Sequence, residues 1–283
     1  MDPTVSITAF VPIYKKLFKT IAYIKKAMVS IVEDWGGDPA RILLGGYSRG
    51  GVGTSFLGKY DDEIADIWLG WLHYDGYDFP YGPTIDLREF TYNVEDDDWE
   101  VSGGIARRFA RTNDRSTLIA GSGYANAFQD YNVNFNFPIE NFGTSSNGRN
   151  HNIIWASGDN SISKQAREWY EKTTTELTGT VTFSGKIISL TSGLPLENVK
   201  IEGGITRWDV TNLEGEFSFE GLPKGTRSFN ITLPNNLIIT KELTINSNVN
   251  QDIYICDGDL NSCYNEGIPM ETLDYFHYNI INK

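Results

Sequence analysis

The sequence predicts an α/β domain built on a parallel sheet and, after it, a smaller all-β sandwich. Before residue 176, segments with helical periodicity alternate with short apolar runs, the order typical of strands linked by helices. After residue 176 this periodicity gives way to short strand-like segments separated by Gly, Pro and Asn turns. The 283 residues suffice for two ordinary domains. We therefore expect the α/β domain at 1–176, the sandwich at 177–255 and a tail at 256–283.

A first helix is predicted between Ile13 and Trp35. Its apolar residues recur at steps of three and four and so share one face: Ile13, Leu17, Ile21, Ile24, Met28, Ile31 and Val32. Lysines occupy the remaining surface of this segment. The sequence Gly-Gly-Asp-Pro at 36–39 then ends the helix. The apolar run that follows Arg41 is expected to be a strand.

The most informative segment is the Gly-x-Ser-x-Gly sequence at residues 46–50. It follows the apolar run and precedes small residues, so strand, tight turn and helix are expected in that order. Such a turn forces Ser48 into a sparsely allowed backbone conformation, and glycines on both sides avoid the collisions a Cβ would cause. The Ser48 hydroxyl is then lifted above a helix amino terminus, where backbone N–H groups stabilise negative charge. The alternative is a Gly-rich turn without chemistry, which the surrounding order of elements disfavours.

A nucleophilic serine needs a base that accepts its proton. The chain has 3 histidines. His73 follows Ser48 too soon and is expected to be a structural residue beside a strand end, and His277 lies in the tail. His151 lies in a loop rich in Asn, Ser and Gly, before a segment of helical periodicity at Ser161–Lys172. A histidine on a loop before the last helix is the expected base, the alternative being an ordinary surface histidine.

The carboxylate that orients the base is less well defined. A strand predicted at Ser116–Gly123 has no carboxylate after it until Asp130. A strand predicted at Asp66–Leu72 is followed by Asp75, at the end of the sheet where such sites assemble. We favour Asp75 as the orienting acid, with Asp130 second and Asp114 third. Asp75 suits equally well a turn before a glycine.

The strands predicted for the second domain are Thr178–Leu190, Val199–Glu202, Arg207–Thr211, Gly215–Phe219, Phe229–Leu233, Leu243–Ile245 and Ile253–Ile255. Their spacing is typical of a small β-sandwich. The segment also resembles the carboxypeptidase-regulatory-like domain, a transthyretin-like sandwich, through its turn glycines at 193, 215 and 225 and the Gly-Glu-Phe-Ser-Phe strand at 215–219. This resemblance implies an accessory module without a second active site.

The first domain resembles secreted bacterial esterase-like members of the α/β-hydrolase superfamily. The resemblance rests on Gly-Gly-Asp-Pro-x-Arg-Ile-x-Leu-x-Gly-Tyr-Ser-Arg-Gly at 36–50, on the acidic segment at 61–68, on Tyr-Asp-Gly at 74–76 and on Asn-His at 150–151. It covers about residues 7–172 and so omits the sandwich.

The resemblance implies cleavage of carboxylic esters through an acyl-enzyme, without a metal or organic cofactor. Carried onto this chain, Ser48 is the nucleophile, His151 the general base and Asp75 the orienting acid, and the Arg49 backbone N–H donates to the oxyanion. The implied substrate is an acylated polysaccharide or a small ester. A catalytically impaired, hydrolase-like binding protein and a serine peptidase on the same fold remain open alternatives, since ester and amide cleavage use the same triad.

One feature departs from the family pattern. The full fold places several strands before the serine turn, and a loop after an early strand supplies a second oxyanion donor. Only about 40 residues precede Ser48. We therefore expect the chain to be N-terminally incomplete, with a parallel-sheet edge that another chain or a second subunit could cover.

Composition excludes several function classes. A net charge of −13 disfavours a nucleic-acid-binding surface, because phosphates would be repelled. No apolar run is long enough to span a membrane, and no signal peptide follows Met1. The resemblance to secreted enzymes still implies an extracellular or periplasmic location. Cys256 and Cys263 could form a small disulfide or remain two thiols, and without a histidine nearby they make a poor metal site.

Overall fold

The computed structural model describes residues 17–47, 49–74, 108, 110–120, 139–142 and 161–257. These residues form two compact units. The first contains the described residues up to Val181, together with Gly204–Arg207 and Glu220–Gly225. The second contains Thr182–Gly203, Trp208–Phe219 and the described residues from Thr226 onward.

The α/β part of the chain is built on a parallel sheet. Its elements are α1 (Leu17–Glu33), a 3-10 helix (Pro39–Arg41), β1 (Leu43–Tyr47), α2 (Arg49–Gly58), α3 (Asp62–Ala65), β2 (Gly70–Tyr74), β3 (Ser116–Ala120), β4 (Ile139–Phe142) and α4 (Ser161–Glu176). The sheet order is β1-β2-β3-β4, and each neighbouring pair is parallel. The carboxyl ends of these strands therefore meet at one edge of the sheet. The predicted parallel sheet is confirmed in this part of the chain, whereas β4 was not predicted.

Helix α1 buries the face that its periodicity predicts. Ile21, Ile24 and Met28 are buried, and they pack with Trp71 of β2 in one apolar cluster. The helix ends where Gly36 adopts a positive φ of 71°, a conformation that glycine accepts without the steric cost of a Cβ.

The two faces of the sheet carry different helices. Leu44 of β1 pairs with Trp71 of β2, and both belong to the apolar cluster of α1 and α2. Because side chains alternate along a strand, Leu72 and Tyr74 face the opposite side. There they join the cluster that contains Trp169 of α4. The sheet is thus covered on both faces, as parallel sheets generally are.

Strand β2 begins later than predicted. The prediction of a strand at Asp66–Leu72 is wrong, because that segment starts in a turn after α3 and the strand runs from Gly70 to Tyr74. The guanidinium of the fully buried Arg115 donates hydrogen bonds to the carbonyls of Ala65 and Trp68 at 2.7 and 2.6 Å. These bonds hold the segment before Gly70 as a turn. As a consequence, His73 and Tyr74 belong to the strand, and residue 75 follows its last residue directly.

The β-rich part contains eight strands among the described residues: β5 (Thr180–Ser189), β6 (Lys200–Gly204), β7 (Arg207–Val210), β8 (Glu216–Pro223), β9 (Gly225–Thr232), β10 (Ile238–Ile245), β11 (Val249–Asn250) and β12 (Ile253–Ile255). One sheet has the order β10-β9-β6-β7, and the other joins β11, β5 and β12, with β8 also paired to β5. Phenylalanine rings pack the two sheets together, since Phe183 of β5 lies 5.1 Å from Phe229 of β9 between ring centroids. The short strand β11 was not predicted.

Two further findings concern the cysteines and the helices. Cys256 is disulfide-bonded, and Cys263, the second cysteine of the sequence, lies outside the described residues. Among the helices that the structure describes, none combines the length and apolarity needed to cross a membrane.

Candidate active site

The candidate site lies at the carboxyl edge of the parallel sheet. Tyr47, the last residue of β1, pairs in register with Tyr74, the last residue of β2, and Tyr74 pairs with Ala120, the last residue of β3. The rings of Tyr47 and Tyr74 stack with centroids 5.4 Å apart. Residues 48 and 75 each come directly after these paired tyrosines. Ser48 and Asp75 themselves lie outside the described residues, so their predicted roles stay predictions.

A single residue joins strand β1 to helix α2. The strand ends at Tyr47 and the helix begins at Arg49, so Ser48 alone separates the two elements in the sequence. A strand before this serine and a helix after it agree with the prediction, whereas the predicted turn at Ser48 lies outside the described residues. Arg49 supplies the first backbone N–H of α2, and the N–H groups of a first helical turn have no partner within their own helix.

Gly46 shows how closely the helix approaches the strand at this turn. A Cβ at position 46 would lie 2.1 Å from the Gly50 carbonyl oxygen, 2.3 Å from the Gly50 carbonyl carbon and 2.3 Å from Thr54 Oγ1. Two of these three atoms belong to the backbone of α2, which cannot rotate away. Glycine is therefore required at 46, as expected when strand and helix cross a one-residue turn.

Gly50 does not meet the same constraint. Apart from its chain neighbours and its own helix backbone, a Cβ at position 50 would meet no atom of the described residues within 4 Å, so the prediction that glycines on both sides of Ser48 avoid collisions holds only for Gly46. Only residue 46 is constrained, because the backbone carbonyl of Gly50 occupies the space where a Cβ at residue 46 would lie. That carbonyl also accepts a hydrogen bond from the Thr54 hydroxyl at 2.9 Å.

His73 lies in the middle of this arrangement. It is fully buried on β2, and its Nδ1 lies 2.9 Å from the carbonyl oxygen of Gly51 in α2. A carbonyl oxygen only accepts, so Nδ1 carries the proton. Burial lowers the pKa of His73 well below its ordinary value, and the positive charge of nearby Lys59 lowers it further, against the weaker opposing effect of the Gly51 hydrogen bond. His73 is therefore a neutral donor inside the protein, in agreement with the structural role expected for it.

Two buried cations flank the tryptophan next to this site, and the sequence analysis missed both. The Lys59 ammonium lies 5.1 Å from the centroid of a Trp71 ring, and the Arg115 guanidinium lies 4.7 Å from it. Both side chains are fully buried. Arginine and lysine are rarely buried without charged or aromatic partners. Their positions follow from contacts distant in the sequence, so composition alone gives no signal for them.

Asp114 does not reach the carboxyl edge. It precedes β3, at the amino end of a five-residue parallel strand about 16 Å long. Asp114 therefore lies at the opposite end of the parallel strands from Tyr47 and Tyr74, and the structure does not support this third-ranked acid. Asp130 and His151 lie outside the described residues. Within the part of the chain that the structure describes, no group of three or more His, Cys, Asp or Glu residues could hold a metal ion.

Comparison with known proteins gives distant structural neighbours only. No family model matches the chain, and no curated protein matches it. Phospholipase PlaB from Legionella pneumophila, solved with thio-NAD, is 11% identical over 89% of this chain and 84% of its own, with a TM-score of 0.32. A 5-hydroxyisourate hydrolase from Klebsiella pneumoniae is 20% identical over 26% of this chain and 84% of its own, with a TM-score of 0.22.

A candidate carbohydrate-binding protein from Bacteroides uniformis is 13% identical, with a TM-score of 0.23. That match spans 26% of this chain and 40% of the neighbour. Identities and TM-scores this low define neither a family nor an activity for this chain.

Proposed function

We propose that this protein is a serine hydrolase of the α/β-hydrolase type that cleaves carboxylic esters through an acyl-enzyme. Ser48 is the nucleophile, His151 the general base and Asp75 the acid that orients the base. The observation that carries the proposal is the approach of α2 to β1, which leaves only 2.1 Å between the Gly50 carbonyl oxygen and a Cβ at residue 46. A strand and a helix this close, with one serine between them in the sequence, support a nucleophile turn at Ser48.

The sheet register supports the proposal that Ser48 and Asp75 belong to one site. The two residues follow Tyr47 and Tyr74, which are partners on adjacent parallel strands. Neighbouring strands lie about 4.8 Å apart, so the two backbones leave the sheet side by side. His151 follows β4 and precedes α4 in the chain, the order that a base after the last strand requires.

The proposed reaction proceeds in two acyl transfers. The Ser48 oxygen attacks the ester carbonyl carbon while His151 accepts the serine proton. The tetrahedral intermediate collapses, the bond to the alcohol oxygen breaks, and His151 returns the proton to the leaving alcohol. Water then attacks the acyl-enzyme by the same route and releases the acid and Ser48. The backbone N–H of Arg49, at the start of α2, stabilises the developing oxyanion.

The substrate class and setting are further parts of the proposal. An acylated polysaccharide or a small ester is the substrate, and residues 177–255 form an accessory module that follows the domain at 1–176 in the sequence. The location is extracellular or periplasmic. The disulfide at Cys256 supports this location, since structural disulfides persist in oxidising compartments.

Hydrolysis of p-nitrophenyl acetate tests the proposal. Replacement Ser48→Ala is expected to lower kcat/KM by at least about 10³-fold, because the acyl-enzyme can no longer form. The matched control is Ser55→Ala, at the other serine of the same turn and helix, which is expected to keep the rate. Wild-type rates in the Ser48→Ala protein would contradict the proposal. A panel of peptides run in parallel separates ester from amide cleavage, and absence of turnover on both by the wild-type protein would favour a binding protein.

A further inference from the structure

We propose that His73 is a positioning residue that fixes the first turn of α2 against β2, and through it the backbone N–H groups beside Ser48. The inference rests on the proposed function, since it assigns a role in the same site. It concerns a histidine that the triad does not use.

The register of β1 and β2 places His73 next to the nucleophile turn. His73 pairs with Gly46, so the two residues point to the same face of the sheet. That face carries α2, because a Cβ at Gly46 would collide with the helix. Because residue 46 of β1 is a glycine, α2 packs close to the sheet at this point. The imidazole of His73, on the adjacent strand β2, contacts the same helix. The hydrogen bond of 2.9 Å from Nδ1 to the Gly51 carbonyl is the result.

The accepting carbonyl belongs to the part of α2 that matters for catalysis. Gly51 is the third residue of a helix that begins at Arg49, so its carbonyl lies within the first turn. The turn is held by three contacts: the close approach of Gly46 to Gly50, the Thr54 hydroxyl on the Gly50 carbonyl, and His73 on the Gly51 carbonyl. The first ties the turn to β1 and the second is internal to α2. The bond from His73 ties the turn to β2, the strand that leads to Asp75.

Because His73 is buried, it can hold α2 in place but is not suited to transferring a proton. Its side chain is fully buried, and Thr54, whose hydroxyl lies close to Gly46, is 3% exposed. Lys59, whose positive charge acts on the imidazole, is itself fully buried. A second positive charge on the imidazole would therefore be unfavourable. Nδ1 is engaged by a backbone carbonyl, so His73 acts through the position of α2 and does not serve as the base for Ser48.

The test compares two substitutions of His73. Replacement His73→Asn keeps an N–H donor near the place of Nδ1, and His73→Leu removes it. We expect His73→Leu to lower kcat for p-nitrophenyl acetate about 10- to 100-fold per active site, with KM within about threefold, because a small displacement of the oxyanion donors weakens the transition state most. His73→Asn is expected to recover most of this loss. Active sites are counted by the burst of p-nitrophenol, so unfolded protein does not enter the rate.

The matched control is Leu72→Ala, at the neighbouring position of β2. Leu72 faces the α4 side of the sheet, so its truncation is expected to lower the melting temperature without lowering kcat per active site. A His73→Leu protein with kcat per active site within twofold of wild type would overturn the inference. Equal losses in the Asn and Leu variants would overturn it as well.

A measurement on the wild-type protein does not depend on any variant folding. Nitrogen-15 NMR of the histidine rings is expected to show His73 still neutral at the pH values where an ordinary histidine becomes protonated, with the proton on Nδ1. A proton on Nε2 or an ordinary titration near pH 6.5 would overturn the inference, whatever the outcome of catalysis. The proposed function fails by a different result: hydrolysis would persist in Ser48→Ala while the tautomer of His73 stays as expected.

Discussion

Replacement Gly46→Ala tests the geometry of the nucleophile turn most sharply. The added Cβ would lie 2.1 Å from the Gly50 carbonyl oxygen, whereas Cβ atoms in real structures essentially never approach another atom within 3.0 Å. The first turn of α2 must therefore retreat by at least about 0.9 Å. Misplacement of a catalytic group by about 1 Å costs roughly 10²-fold in rate. Overpacking of this kind lowers the free energy of unfolding by about 1–3 kcal/mol.

The assay measures hydrolysis of p-nitrophenyl acetate per active site together with urea unfolding. Gly45→Ala is the control on the same strand, since its Cβ would meet Leu72 at 3.7 Å, an ordinary contact. We expect Gly46→Ala to lose about two orders of magnitude in kcat while Gly45→Ala stays within about threefold of wild type. Equal activity in the two variants would refute the reasoning that the turn is held by this contact.

Three further predictions concern Gly50, His73 and the buried pair of Trp169 and Ser116. Gly50→Ala is expected to raise the free energy of unfolding by about 0.5–1 kcal/mol in urea titrations, because glycine is unfavourable in a helix and the added Cβ meets no described atom within 4 Å outside its own helix and chain neighbours. A lower free energy of unfolding would contradict the open space around residue 50. Because the native state holds His73 neutral, the unfolded chain binds more protons than the native chain below about pH 6.5. On acidification the free energy of unfolding of the wild type should therefore fall by up to about 1.4 kcal/mol more per pH unit than that of His73→Asn, and equal losses in the two proteins would contradict a neutral His73. A double-mutant cycle of Trp169→Phe and Ser116→Ala should yield a coupling of about 1 kcal/mol for their buried 2.6 Å hydrogen bond, whereas additive losses would exclude it.

The α/β elements near the turn could be predicted because their signals are local. The spacing of Ile21, Ile24 and Met28 identifies the buried face of α1, and the glycines at 36 and 37 identify its end. The short apolar run before Ser48 identifies β1. Alternation and turn glycines likewise identify most strands of the second domain, where Gly215 adopts a φ of 73°.

Other elements depend on contacts that a sequence does not display. The start of β2 is set by Arg115, which binds carbonyls about 50 residues earlier in the chain. Strand β11 is defined by parallel pairing with β5, more than 60 residues away. The motif does not show that a side chain would fit at residue 50, because this depends on how the backbones of β1 and α2 pack against each other.

The same distinction applies to the candidate site. The motif around Ser48 and the order of elements are enough to nominate Ser48, His151 and Asp75, and these assignments stay predictions. The role of His73 could not be derived from the sequence, because it requires the register that sets this residue beside Gly46 and the helix that lies above both. A histidine beside the end of the strand predicted after Ser48 is the signal that the sequence offers.

Mapping the adduct of a fluorophosphonate probe by mass spectrometry tests the central claim most directly. The probe reacts with serines whose hydroxyl is activated, so we expect one adduct, on the peptide that contains Ser48, and no adduct after Ser48→Ala. An ester-hydrolysing protein that carries the adduct on another residue, or that carries none, would contradict the claim that this turn presents the attacking hydroxyl.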